Sequence, residues 1–223
     1  MLTDFEKSWR NKLLSRKDIC ENKKAAKTLR DETLAEPEFT KKLLDILTKE
    51  FTTSQIIDIM LGAACHYPER ELEAIREEYS KTGDLKLAHS LLQVRFDAFM
   101  ADILTGKPEL QMEIKKRNWG LAGRLAGNKI IAAKIPKSGF LEQYFNEQDI
   151  EKKRLLYCHC PRIRAFIGKT DIDPLYCYCG AGFYQDIWEY ITGKQVKVKL
   201  LKSIIKGDDH CQFELQITDN DIK

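Results

Sequence analysis

The sequence predicts an α+β fold: N-terminal helices packed on a C-terminal antiparallel sheet that includes a strand–helix–hairpin unit. Three observations predict it. Apolar residues recur with a helical period through residues 1–110. From Lys152 onward the period changes. The last run then sets Cys211, Phe213, Leu215 and Ile217 against Gln212, Glu214, Gln216 and Thr218, so one strand face is apolar and the other polar. A hairpin with one apolar face must be covered by helices, which implies that residues 1–110 and 111–223 form one compact unit.

In chain order, Leu43, Leu44, Ile46 and Leu47 after Pro37-Glu38 make a short amphipathic helix. Thr52 stands three residues before Gln55, a capping-box spacing, and Ile56, Ile57, Met60 and Leu61 supply the next stripe. Pro68 opens another helix with Glu69 and Glu71 in its first turn, where the helix dipole favours acids. Asp84 caps a long segment carrying Leu87, Leu91, Leu92, Val94, Phe96, Phe99 and Ile103, closed by Thr105-Gly106. These are core stripes.

Residues 108–150 have no clear period. Seven basic residues (Lys115, Lys116, Arg117, Arg124, Lys129, Lys134, Lys137) lie there with one acid, Glu113, between Met112 and Lys137. Gly120, Gly123 and Gly127 interrupt any helix. An anion-facing surface is one reading. A solvated face balanced by acids elsewhere is the favoured one, because the net charge is only +3.

Further on, Arg154 to Cys160 reads as a strand ended by Pro161. Ala181 to Ile191 reads as a helix closed by Thr192-Gly193. Val196, Val198 and Leu200 alternate with Lys197 and Lys199, and the phase slips at Leu200-Leu201, which predicts a bulge. Gly207-Asp208-Asp209 is the turn before the last strand.

Composition narrows the function classes. The 223 residues carry 37 Lys+Arg against 34 Asp+Glu, a balance too even to argue for nucleic acid or an anionic membrane. No run approaches the ~18 apolar residues of a membrane span. The start, Met1-Leu2-Thr3-Asp4-Phe5-Glu6, lacks the basic and apolar stretches of a signal peptide, so cytoplasmic residence is expected. In a reducing compartment, seven cysteines predict free thiols or ligands, not a disulfide framework.

The cysteines carry the strongest signal. Cys158-x-Cys160, sixteen residues, Cys177-x-Cys179, thirty-one residues and Cys211 place five of the seven in one stretch. In an extended segment, side chains at i and i+2 point the same way, so each pair presents two sulfurs on one side. Cys158, Cys160, Cys177 and Cys179 are therefore candidate metal ligands, for zinc before an iron–sulfur cluster. One intervening residue is short for structural zinc, and the alternatives are that the thiols are small buried hydrophobes or that they carry redox or nucleophilic chemistry. Cys211 leans to that alternative because it continues the apolar face of Phe213. Cys20 carries no signal.

Cys179 precedes Gly180-Ala181-Gly182 at a helix start, where unpaired N–H groups lower a thiol pKa and bind anions. Gly180 and Gly182 would let a ligand approach the backbone, and Arg162 and Arg164 could clamp its carboxylate. His159 faces opposite its flanking cysteines in an extended segment. His66, after Cys65, reads as a helix-end histidine, and whether Cys65-His66 folds toward the other cysteines is open. His89 and His210 show no partner, and a turn or cap explains Asp171 and Asp173.

Tyr157-Cys158-His159-Cys160-Pro161, Tyr176-Cys177-Tyr178-Cys179-Gly180-Ala181-Gly182-Phe183 and Gly207-Asp208-Asp209-His210-Cys211-Gln212-Phe213 resemble an uncharacterised bacterial cysteine-rich family. Its C-terminal part is similar to the L-2-amino-thiazoline-4-carboxylate hydrolase-like group and to 4-vinyl-reductase-type small-molecule-binding domains. The resemblance covers about residues 150–218. It implies a ligand pocket between sheet and helices with cysteines near it, so that 111–223 would be a small-molecule-binding region.

Two functions compete. One is binding of a small ligand or a metal through the paired cysteines. The other is hydrolysis of a small sulfur-containing heterocyclic carboxylate, which would need a thiolate or activated water and an anion anchor. The expected partner is a small molecule. Neither a membrane nor nucleic acid is expected, and a homodimer is left open.

Overall fold

The computed structural model describes residues 3–168 and 172–222. Eight helices come first: α1 (Asp4–Leu14), α2 (Lys17–Glu21), α3 (Lys23–Arg30), α4 (Glu38–Glu50), α5 (Thr53–Gly62), α6 (Glu73–Thr82), α7 (Leu85–Ile103) and α8 (Pro108–Lys116). A small hairpin follows, β1 (Arg124–Ala126) and β2 (Lys129–Ala132), then α9 (Leu141–Asn146), α10 (Ile150–Tyr157) and α11 (Pro161–Arg164). The chain ends in α12 (Tyr178–Thr192), β3 (Lys194–Lys202) and β4 (Gln212–Asp221). The fold is α+β, as the periodicity predicts. Among the described residues, no helix is long and apolar enough to cross a membrane.

Local chemistry sets most of these elements. Thr52 and Gln55 form the predicted capping box, with Thr52 N–H donating to Gln55 Oε1 at 2.9 Å. Asp84 caps α7 by accepting from Lys86 N and Leu87 N. In α7 the buried stripe is Ala88, Leu92, Phe96 and Met100, a strict i, i+4 ladder. Val94 and Phe99 fall off that ladder and face solvent, contrary to the sequence expectation.

The four strands form one antiparallel sheet in the order β1-β2-β4-β3. Ile130 stands opposite Leu215, Ala132 opposite Phe213, and Val196 opposite Ile217, so one face is continuously apolar. The predicted bulge is present as a register shift between Leu200 and Lys202. The β1–β2 hairpin lay in the stretch without a period. Its two-residue Gly127-Asn128 loop places Gly127 at φ 63°, where only glycine sits without strain.

Helix α12 is the centre of the molecule. Tyr184, Ile187, Trp188 and Ile191 are buried in the cluster that covers the sheet. Its opposite side meets α5, where Gly182 lies against the Leu61 carbonyl. Gly193, at φ 66°, ends α12 in the left-handed conformation.

The predicted strand over Arg154–Cys160 is a correction. Asp149 accepts from Glu151 N and Lys152 N, and the helix it starts runs to Tyr157. Only Cys158 to Cys160 is extended, as expected for residues leading into a proline at the first position of α11.

Candidate functional site: a thiol-lined cavity

Where α12 starts, between the α5 C-terminus, the Cys158–Cys160 segment and the head of β4, lies a cavity of about 120 Å³. Six of the seven cysteines line it: Cys65, Cys158, Cys160, Cys177, Cys179 and Cys211. Lys134, His159, Arg162, Tyr157 and Tyr176 share the wall with Trp9, Ile163 and Phe213. Cys20 stands apart.

Each wall is held by identifiable bonds. Tyr157 Oη stands 3.1 Å from both the Lys134 and Cys211 carbonyls and donates to one at a time, tying β2 to the head of β4. Trp9 Nε1 donates to the Ala63 carbonyl at 3.0 Å, and Cys179 Sγ reaches the same oxygen at 3.6 Å. Lys12 donates to the Ala64 carbonyl and to His66 Nε2, while His66 Nδ1 pairs with Asp186 at 2.5 Å. The segment carrying Cys65 is thus pinned by α1 and α12. The open question of Cys65-His66 has an answer: Cys65 lines the cavity and His66 is a structural tie.

The paired-cysteine argument holds for one pair and not for the other. Cys158 and Cys160 are both extended and both line the cavity, but His159 between them lines it as well, contrary to the expectation that it faces the other way. Cys177 and Tyr178, by contrast, have helical φ/ψ, and two helical residues apart is about 200° of rotation. Cys177 Sγ accepts from Ser203 Oγ at 3.1 Å, whereas Cys179 turns to Ala63. Among the described residues, no group of three or more His, Cys, Asp or Glu is placed to hold a metal ion. The expected Cys158, Cys160, Cys177, Cys179 ligand set shares a cavity without converging on one point.

Burial also reverses the expected thiol chemistry at the helix start. Desolvation pushes the Cys179 thiol up to about 12, against the pull of Lys134, and it raises Cys158 as well. The neighbouring Cys211 thiol and burial hold Cys177 up, whereas Cys177 and Lys134 hold Cys211 down against burial. Lys134 itself is lowered by burial, with four surrounding cysteines opposing that shift. His159 is exposed overall, but desolvation around its ring lowers it to about 4; its Nε2 stands 2.7 Å from the Ile135 carbonyl.

Arg162 is the buried cation of the site, 3% exposed. Its Nε stands 3.6 Å from Glu36 Oε1, and its guanidinium lies 3.8 Å over the Trp9 ring. Its Nη2 and the Tyr176 hydroxyl are buried without a hydrogen-bond partner among the described residues. Unpartnered buried donors are costly, about 1–3 kcal/mol each, and a bound acceptor removes that penalty.

The other expected ligand-binding residues divide. Gly180 lines the cavity, with room at its Cα limited by Phe213. Gly182 does not: it is a packing glycine, because a Cβ there would meet Leu61 O at 2.2 Å. Arg164 lies over the Phe140 ring at 5.1 Å and is not on the cavity wall. Four successive positions of a short helix turn point different ways, so Arg162 enters the core and Arg164 leaves it.

Three wall residues are not among the expected site residues: the sequence reads Cys211 as part of a strand's apolar face, leaves Cys65 open and reads Lys134 as part of a basic stretch. Cys211 continues an apolar strand face, and that face happens to end at the cavity. Cys65 had no pattern to connect it. Lys134 was hidden in the basic stretch. The neighbours of that stretch are paired outside, Lys115 with Asp97, Arg117 with Glu113 and Lys129 with Glu214. Asp173 accepts from Leu175 N as a cap, Asp171 lies outside the described residues, His89 stacks on Trp188, and His210 pairs with Asp209.

Fold and site together define an α+β protein with a thiol-lined cavity whose wall also carries Arg162 and Lys134. Residues 140–222 match a family described as Family of unknown function (DUF6144). That stretch holds Arg162 and five of the six cavity cysteines, while Cys65 and Lys134 lie before it. No curated protein and no solved structure gives a match.

Proposed function

We propose that this protein binds a compact small molecule bearing a carboxylate or similar anion in the thiol-lined cavity. Buried Arg162 carries the proposal: its Nη2 lacks a hydrogen-bond partner among the described residues, as does the Tyr176 hydroxyl, and both residues line the cavity with Lys134. An anion seated there would accept from Arg162 and Tyr176, and the charge of Lys134 would favour it. The cavity volume restricts the ligand to roughly the size of a small heterocycle or amino acid.

Hydrolysis of a thiazoline carboxylate, which the family resemblance suggests, needs a nucleophile. Cys179 is a poor one, because burial keeps it a thiol. Zinc does not fit the side chains as they stand, since Cys177 and Cys179 diverge.

The test is thermal-shift and calorimetric titration with L-2-amino-thiazoline-4-carboxylate, L-proline, L-cysteine and pyruvate. At least one is expected to bind saturably to the unmodified protein and to lose about tenfold or more in affinity with Arg162→Met, since a charged hydrogen bond contributes about 1.5–3 kcal/mol. No binding by any of the four, or equal binding by the variant, would overturn the proposal.

A further inference from the structure

Lys134 stands at a junction that anion binding alone leaves unused. With Cys65 and His159 it lines both the thiol-lined cavity and a second, wider pocket of about 580 Å³. Tyr67, Phe96, Phe99 and Phe183 give that pocket aromatic walls. Lys134 Nζ lies over the Phe183 ring, 4.1 Å from its centre, so the amine stands where the two spaces meet. Lys115 and Lys129, from the same basic stretch, pair with Asp97 and Glu214, whereas Lys134 makes no ion pair among the described residues. Cysteine thiols and an aromatic ring surround it instead, and they solvate an ammonium poorly. Such an amine gives up its proton more readily than a surface lysine and becomes a nucleophile toward carbonyl carbon. Cys179 feels the charge of both Lys134 and Arg162, which sets the amine and the buried guanidinium around one thiol.

We propose that Lys134 forms an imine with a 2-oxo acid whose side chain is apolar. This deepens the anion-binding proposal and rests on it for the carboxylate, which Arg162 and Tyr176 hold in the thiol-lined cavity. The keto carbon then lies at Lys134, and the side chain extends into the aromatic pocket, so only the head has to fit the smaller space. The neutral amine attacks the keto carbon; the Nζ–C bond forms and the C=O π pair moves to oxygen. Both Nζ protons pass to that oxygen, the C–O bond breaks, and water leaves. The imine takes one proton from solvent, and its positive charge replaces that of the lysine beside the carboxylate. No oxidant or reductant is needed.

The experiment incubates the full chain with phenylpyruvate or pyruvate at mildly alkaline pH in the presence of sodium cyanoborohydride, which reduces an imine to a stable secondary amine. Mass spectrometry then maps the labelled amines. The expected result is one saturable label at Lys134, half-complete at a lower concentration of phenylpyruvate than of pyruvate. The chain's α-amino group, which titrates low in any protein, is expected to label only in proportion to concentration. Lys134→Arg is expected to lose the saturable label, and Arg162→Met to need about tenfold more phenylpyruvate for it. Labelling at Lys134 no faster than at the α-amino group or surface lysines, or a preference for pyruvate, would overturn the proposal. Saturable calorimetric binding of either acid without a label at Lys134 overturns the imine and leaves the anion site standing. Undiminished labelling in Arg162→Met supports the imine and removes Arg162 as the anion's partner. The unmodified protein alone decides on the imine if either variant fails to fold.

Discussion

Gly182→Ala tests how the cavity is assembled, because α12 reaches it only by lying tightly on α5. The added Cβ would stand 2.2 Å from the Leu61 carbonyl oxygen and 2.8 Å from Ala64 Cβ. Neither can swing aside as a flexible side chain would, so the helices must separate. Overpacking of this kind costs typically ~1–3 kcal/mol, and a backbone contact this close belongs at the upper end. Alanine returns ~1 kcal/mol of helix propensity over glycine. The net loss is about 2 kcal/mol, which for a chain of this size lowers Tm by about 4–8 °C. Gly180→Ala is the internal comparison: its Cβ meets only the edge of the Phe213 ring, at 3.0 Å, and the loss is expected to be smaller. Scanning calorimetry or circular-dichroism melting of both variants decides. A Gly182→Ala protein that melts at or above the unmodified one, as propensity alone dictates, would refute the packing described for α12.

Two further outcomes are expected. Thr52→Ala removes the hydroxyl of the α5 capping box and is expected to lose about 1 kcal/mol in urea unfolding; no change in midpoint would mean that α5 does not start there. His159 binds its proton less readily in the folded chain than in the unfolded one, whose value is about 6.5. The unfolded state therefore takes up more protons as pH falls from about 6.5 toward about 4, and stability is lost across that window. His159→Asn is expected to flatten the urea-midpoint profile over that range, by less than the shift alone implies because the ring is partly exposed. An unchanged slope would remove His159 from the pH dependence.

Much of the fold was legible because it rests on local signals. The Thr52–Gln55 box, the Asp84 cap, the Gly193 stop and the bulge after Leu200 are each written in a few adjacent residues, and the structure has all four. The failures share a cause. The β1–β2 hairpin is only three to four residues per strand, too short for alternation to show among so many lysines and glycines. Arg154–Tyr157 carries the same apolar residues whether helix or strand, and the deciding signal, Asp149 as cap, lay upstream.

The site was legible in part. Clustered cysteines pointed to the stretch that lines the cavity, and Arg162, expected to bind a ligand, lines it too. Their arrangement was not legible, because it depends on helical phase at Cys177–Cys179 and on contacts across the fold. Cys179 meets Ala63, 116 positions earlier in the chain, and no spacing rule reaches that far. Burial then determined the thiol chemistry, outweighing the helix-start effect that position alone suggested.

The central claim is that Cys158, Cys160, Cys177, Cys179 and Cys211 face one small shared space. The most direct measurement is native-state labelling with N-ethylmaleimide, read by intact mass and peptide mapping while far-UV circular dichroism confirms that the fold is kept. A cavity of about 120 Å³ has room for one such group. The account predicts one adduct among these five cysteines per folded molecule, distributed over alternative positions, while Cys20 reacts separately. Folded molecules carrying two or more adducts among the five, formed at independent rates, would contradict it.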